Sequence, residues 1–194
     1  MHVLSSLVLL ALLLSPTALW AGGASVAPDA TPLAVGQTFP NVTLEGTLTA
    51  EQAAWLGIPA GTTAPTLSQI KAQAVILEVF SMYCPHCQAE APSVVALHKE
   101  IAARGLDGTL KLIGLGAGNS QSDVDIYRTK YTIPFPLFTD FDYVVHKACG
   151  EVGTPYFYVL ARQGKNFVVV VSSLGRMDSP AAFLDQAIQA AKLK

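Results

Sequence analysis

Charge is scarce in this sequence: Asp, Glu, Lys and Arg make up 13% of its 194 residues, and the formal net charge is −2. No segment gathers Lys or Arg into a stripe, which argues against nucleic acid or an acidic membrane surface as a partner. Cysteine is scarcer still. Three cysteines are too few for a disulfide-stapled scaffold and too few for a four-cysteine zinc site. The apolar fraction of 51% leaves little scope for disorder. The length allows one ordinary domain with a real core plus extras. No internal repeat is visible.

Part of the apolar excess sits at the N-terminus. Val3 to Leu14 is a nearly unbroken apolar run, followed by Ser15, Pro16 and Ala18-Leu19-Trp20-Ala21. A short apolar core ending in a small-x-small site reads as a secretory signal, residues 1–21, cleaved after Ala21. Its n-region lacks Lys and Arg, having only His2 and the amino terminus. The alternative is an uncleaved anchor, because Val3 to Ala21 is near the minimum for a span. Pro16 and the small residues after it favour cleavage and no membrane span in the mature chain. Either way the expected location is periplasmic or otherwise exported, where disulfides persist. Residues 22–35, rich in Ala, Gly, Pro and Ser, read as a flexible tether, leaving 36–194 as the folded domain.

Within that domain the pattern alternates. Phe39–Leu44 reads as a short strand, and Thr49 caps a helix start before Gly57, Pro59 and Gly61 break the chain. Thr66–Ile70 suggests a helical turn. Ala74–Phe80 is a continuous apolar run of strand length, as expected of a strand buried on both faces. A helix is expected from Pro85 to Arg104 with Gly105 as its stop, then a strand at Leu110–Gly114. A helix over Ser122–Tyr131 carries Asp123 and Asp125 in its first turn. A short strand at Phe135–Phe138 and a helix at Tyr143–Cys149 follow. Pro155–Leu160 and Phe167–Val171 form a hairpin, and Ser179-Pro180 opens a last helix to Leu193. The fold class is therefore α/β, a mixed central sheet flanked by helices.

Cys84-Pro85-His86-Cys87 stands directly after the buried strand and opens the predicted helix. A thiol at a helix N-terminus faces unpaired N–H groups and the positive end of the dipole, both of which favour thiolate. A free thiol of pKa about 8.5 is only ~3% ionised at pH 7, and such motifs fall to ~3.5–7.5. Two intervening residues let Cys87 reach Cys84 and close a disulfide. Cys84 is then the exposed nucleophile and Cys87 the resolving thiol. His86 can add charge or a hydrogen bond to the Cys84 sulfur, or be an exposed polar residue. Glu78 is a carboxylate inside the apolar strand. It either faces out at a sheet edge or is a desolvated acid of raised pKa, able to pass protons to and from Cys87. Pro155 opens a buried strand, an unusual place for proline. A cis Thr154-Pro155 bond would leave the Thr154 backbone free for a substrate chain, whereas a trans loop proline would carry no such meaning.

Strand, Cys-x-x-Cys, helix and a distant proline before a hairpin together resemble the thioredoxin superfamily. Pro92, five residues after Cys87, matches the proline that kinks the active-site helix of that family, and Gly175 matches a glycine after its hairpin. Glu78 falls where the family often has its buried acid. The stretch Glu78 to Cys87 is similar to the periplasmic Dsb-type disulfide oxidases. The spacing from Cys87 to Pro155 instead resembles the TlpA-like exported group, which carries an extra strand-helix unit and an N-terminal extension. The resemblance covers about residues 36–193, with residues 46–70 matching weakly. It implies an exported thiol-disulfide oxidoreductase acting through Cys84, Cys87, Glu78 and His86, with Thr154, Pro155, Pro85 and Tyr83 facing substrate. Met82, Tyr83 and Tyr156 would add a shallow apolar surface. The implied partners are protein thiols or disulfides and a membrane redox protein. No cofactor is needed, because the cysteines carry the electrons.

Two other functions share the fold. A thiol peroxidase would use Ser81, three before Cys84, as an activating hydroxyl and needs an arginine beside the thiolate, for which Arg162 is a poor candidate. A copper-delivery module would add His146 to the two thiolates, although its cysteines are spaced more widely. Cys149 reads as a buried apolar filler, and His98 as a residue on the solvent side of the active-site helix.

Overall fold

The computed structural model describes residues 31–194. The expected signal (residues 1–21) and most of the expected tether lie outside the described residues. Ala74–Phe80 forms a strand, β2, buried along its whole length. It pairs in parallel with β3 (Leu110–Ala117), which pairs in parallel with β4 (Leu137–Asp140). On its other side β2 runs antiparallel to β5 (Tyr156–Gln163), and β5 to β6 (Asn166–Leu174). The two-residue strand β1 (Thr38–Phe39) closes that edge, so the sheet order is β1-β6-β5-β2-β3-β4. A central strand with partners on both sides must be apolar on both faces, which is why the Ala74–Phe80 run is unbroken except at Glu78.

The period of two along a strand divides the core. Ala74, Ile76 and Phe80 face one layer with Cys87, Val94 and Leu97 of α2 (Pro85–Ala103), Val124 and Tyr127 of α3 (Gln121–Tyr131), and Phe183 and Leu184 of α5 (Pro180–Ala191). Val75, Leu77 and Val79 face the other layer with Leu56 of α1 (Ala50–Leu56), Val145 of α4 (Val144–Ala148), and Leu67 and Ile70. Glu78 has the parity of Ile76 and Phe80, so it points at α2.

The helix ends follow from local chemistry. Thr49 and Ser120 each form a capping box with the residue three on, satisfying N–H groups that the helix leaves unpaired. Ser179 caps α5, with Pro180 in its first turn, where a missing N–H costs nothing. Gly57 ends α1 in the left-handed conformation, where a Cβ would also collide with Lys71. Residues 46–70, where the sequence resemblance is weak, fold as α1 and a 3-10 turn over Leu67–Gln69 and cover the second layer. Segment 42–47 lies along the β4 edge, with Thr139 N–H donating to Glu45 O at 2.7 Å.

Three expectations need correction. Strand one is shorter than Phe39–Leu44, because the chain leaves β6 after Phe39 and reappears only as isolated bridges at Thr43 and Glu45. His98 does not lie on the solvent side of α2. Its ring is half-buried between Trp55 and Phe135, at 5.8 and 5.7 Å, because α1 covers that part of the helix. Burial there holds its pKa below the ordinary histidine value. Tyr156 contributes no shallow surface, being 5% exposed with its hydroxyl 2.7 Å from Ser172 Oγ.

Candidate active site

The C-terminal ends of the parallel strands converge where β2 gives way to α2. Cys84 is the N-cap residue of α2 and is half-buried, while Cys87, one turn in, is fully buried. Both thiols are free. Their chemical environments differ sharply. Burial acts against the Cys84 thiolate, but hydrogen bonds from the Thr154 side chain, the Cys87 N–H and thiol, and the His86 N–H outweigh it, so its pKa falls below the ordinary cysteine value. Cys87 is desolvated and pushed up to about 12. Burial and hydrogen bonding thus pull the acidities of the two thiols in opposite directions.

The Thr154–Pro155 bond is cis. Thr154 O lies 3.3 Å from Cys84 Sγ, and Pro155 O accepts from Gly175 N–H at 2.8 Å. The cysteine pair and the cis proline, 71 residues apart in number (84 to 155), therefore meet at one place. Pro85 and His86 occupy the exposed first turn of α2. His86 reaches Cys84 through its backbone N–H. Tyr83 is 64% exposed, with its hydroxyl donating to Asp123 Oδ1 at 2.8 Å.

Glu78 lies beneath this surface. Its side chain is buried, and among the described residues Oε1 has no hydrogen-bond partner. Desolvation, with the charge of Glu90 added, raises its pKa from 4.5 to about 8. A carboxyl so placed is mostly protonated at neutral pH.

Several residues of this site escaped the sequence reading. Glu90, fully buried one turn beyond Cys87, accepts from Arg176 Nε at 2.8 Å and from Met177 N–H at 3.0 Å. It ties α2 to the loop after β6. Its signal was present: Glu90 shares the apolar stripe Cys87, Ala91, Val94, Leu97, Ile101, where a charge needs a partner. Asn119, also fully buried, accepts from Met82 N–H at 2.8 Å and donates to Ser81 Oγ at 3.3 Å. Gln88 Nε2 donates to Met82 O at 2.8 Å, and Tyr127 donates its hydroxyl proton to Cys87 O at 2.9 Å. Residues 81–83 and the first turn of α2 are thus held by side chains from α2, α3 and the β3–α3 loop, which no local pattern could reveal.

The remaining candidates lie apart. Arg162 spends its guanidinium on the carbonyls of Ala72, Ser68 and Ile70 and covers the Phe167 ring, so it is not the cation that a peroxidase thiolate would need. His146 Nε2 is 2.8 Å from Val152 O, and among the described residues no cluster of three or more His, Cys, Asp and Glu side chains is placed to hold a metal. Cys149 is fully buried, desolvated and pushed up to about 12.

Comparison with known proteins bears on the family and the fold. The family model described as the AhpC/TSA family matches residues 35–169. The thiol-disulfide oxidoreductase ResA of Bacillus subtilis is 24% identical over 108 residues, 56% of this chain and 58% of ResA. The chain thus spans well under two thirds of that relative. The thioredoxin domain of a thiol-disulfide oxidoreductase from Bacteroides vulgatus superposes with a TM-score of 0.60 at 16% identity, covering 79% of this chain and 97% of that one. A thiol:disulfide interchange protein of the thioredoxin family from Chlorobium tepidum gives 0.57 at 20%, covering 84% and 99%. These likenesses establish the thioredoxin fold.

Proposed function

Because this chain belongs to the AhpC/TSA family, we propose that it is a thiol-disulfide oxidoreductase, exchanging a Cys84–Cys87 disulfide with protein thiols outside the cytoplasm. The observation that carries the reading is the pairing of a half-exposed, low-pKa Cys84 with a buried, high-pKa Cys87 at one helix N-terminus. In the reducing direction the Cys84 thiolate attacks a substrate disulfide sulfur, and the substrate's second sulfur leaves as thiolate. Cys87 then loses its proton to the ionised fraction of Glu78, about a tenth of it at pH 7, and attacks Cys84 Sγ, releasing the substrate's first sulfur as thiolate. Protein dithiol becomes disulfide, and substrate disulfide becomes two thiols. The oxidising direction is the reverse.

Glu78 suits the second step because burial sets its pKa at about 8, between the pH of the medium and the Cys87 thiol. Thr154, whose carbonyl lies against Cys84 Sγ, would offer its backbone to an extended substrate chain. Pro85, His86 and Tyr83 make the exposed border that a substrate would meet. The export reading rests on residues 1–21 and fits a stable disulfide. A membrane redox protein would reset the pair. Among the described residues no helix is long and apolar enough to cross a membrane.

The test is a trapping experiment. Cys87→Ser should accumulate a mixed disulfide between Cys84 and a protein thiol, and Cys84→Ser should accumulate none. Equal trapping by both variants would contradict the assignment of nucleophile and resolving thiol.

A further inference from the structure

Single exposed apolar side chains are ordinary on a protein surface, but clusters of them are not. Phe141, Tyr143 and Val144, within four consecutive positions that run from the end of β4 to the first residue of α4, are 64%, 45% and 68% exposed. Tyr143 also holds a left-handed backbone, φ 59°, which a bulky residue adopts only at a cost. The turn is fixed from below. Tyr143 N–H donates to Asp140 O at 3.1 Å, and the Asp140 carboxylate accepts from Val145 N–H at 3.0 Å and His146 N–H at 2.7 Å. The fold thus spends hydrogen bonds on presenting apolar side chains to solvent.

A chain of contacts links this turn to the candidate active site. The Tyr143 ring lies across Gly118, where any Cβ would collide with its hydroxyl. Gly118 precedes Asn119, which binds Met82 N–H two residues before Cys84. A cavity of about 180 Å³ opens beside Phe141 and Val144, with room for about one large side chain. Its wall includes Glu45 and Asp142 and no lysine or arginine, and neither carboxylate forms an ion pair with any described residue.

We propose that the Phe141–Val144 turn docks the polypeptide substrate, taking a large apolar side chain that neighbours a lysine or arginine. The inference rests on the exchange reading for its substrate, and geometry sets the spacing. From the end of β2 to the end of β4 is two strand separations, about 10 Å. An extended chain covers that in about three residues, so the apolar-basic pair lies about three or four positions from the reactive substrate cysteine.

The test uses the full chain with Phe141 and Val144 intact and as the Phe141→Ser, Val144→Ser double variant. Both side chains are exposed, so the core is untouched. Single-cysteine peptides, each as its mixed disulfide with glutathione, carry Phe-Lys or Gly-Asp three residues from the cysteine. The Cys84 thiolate attacks the peptide sulfur and glutathione leaves. Cys87 then releases the peptide thiol, so one disulfide is reduced as another forms. Burial of one large apolar side chain should make the Phe-Lys peptide react about ten- to a hundredfold faster. The double variant should lose that preference while its rate with oxidised glutathione stays unchanged. An undiminished preference in the double variant would overturn the proposal. A serine-for-cysteine Phe-Lys peptide, followed by fluorescence anisotropy, decides docking without the chemistry: tighter binding to the intact turn supports it, and equal binding overturns it. A chain that leaves oxidised glutathione untouched would refute the exchange reading instead.

Discussion

Glu78 should make this protein less stable as pH rises through neutrality, contrary to the behaviour of an ion-paired carboxylate. Its folded pKa is raised from 4.5 to about 8 by burial and, secondarily, by Glu90. Below pH 4.5 the carboxyl is protonated whether folded or unfolded and costs nothing. Between 4.5 and about 8 the unfolded chain releases the proton while the folded chain keeps it, so the folded state binds more protons and stability falls with pH. The slope is about 1.4 kcal/mol per pH unit, and by pH 7 the accumulated loss is about 3 kcal/mol, an order-of-magnitude figure. Above about pH 8 both states are ionised and the loss levels off. Glu78→Gln keeps the shape and removes the titration. Urea unfolding of the reduced chain at pH 5, 7 and 9 reads the difference directly. The variant should gain on the parent between pH 5 and pH 9, and the parent's decline should be absent from the variant. Parallel stability curves for the two proteins would refute the reasoning, because they would mean that Glu78 titrates alike folded and unfolded.

Other consequences follow from the same site. Thiolate absorbance during a pH titration of the reduced protein should show one group ionising below the ordinary cysteine range, absent from Cys84→Ser, and none from Cys87 until about pH 12. Asn119→Ala removes the partner of a backbone N–H and of Ser81 Oγ. It should cost about 1–3 kcal/mol in chemical denaturation and slow disulfide exchange at Cys84, whereas a purely structural Asn would change stability alone. Arg176→Ala leaves the buried Glu90 with only the Met177 N–H. Arg176 is half-exposed, so the loss should be about 1–2 kcal/mol, below that of a fully buried pair, and denaturation at neutral pH measures it. Trp55→Ala removes a partly buried ring packed against the second layer and His98; it should cost about 1–3 kcal/mol in the same assay, less than a core aromatic, and it should raise the His98 pKa, read by NMR titration, as that ring is rehydrated.

The sequence was most informative where one segment made its own case. The Ala74–Phe80 run, apolar except at Glu78, read as a two-sided strand, and the cysteines that follow it as the opening of a helix. Ser179-Pro180 and Thr49 announced helix starts because capping is chemistry within four residues. The two layers of the core, by contrast, arise from pairings between distant segments. That is why the covering of His98 by α1 was not legible, and why Tyr156 read as surface. The active site divides in the same way. Cys84, Cys87 and Glu78 lie within ten consecutive residues, whereas Asn119, Tyr127 and Arg176 reach the site only through the crossover connections. Glu90 stands between these cases, because its charge breaks an apolar stripe that the sequence does display.

The central claim is tested most directly by equilibrating the full chain in glutathione buffers of graded potential and counting Cys84 and Cys87 thiols by alkylation. The account predicts a reversible two-electron transition that disappears in both Cys84→Ser and Cys87→Ser. A midpoint near about −120 mV would identify a disulfide donor, and one near about −270 mV a reductant. A chain in which Cys84 and Cys87 never form a reversible disulfide would contradict the account.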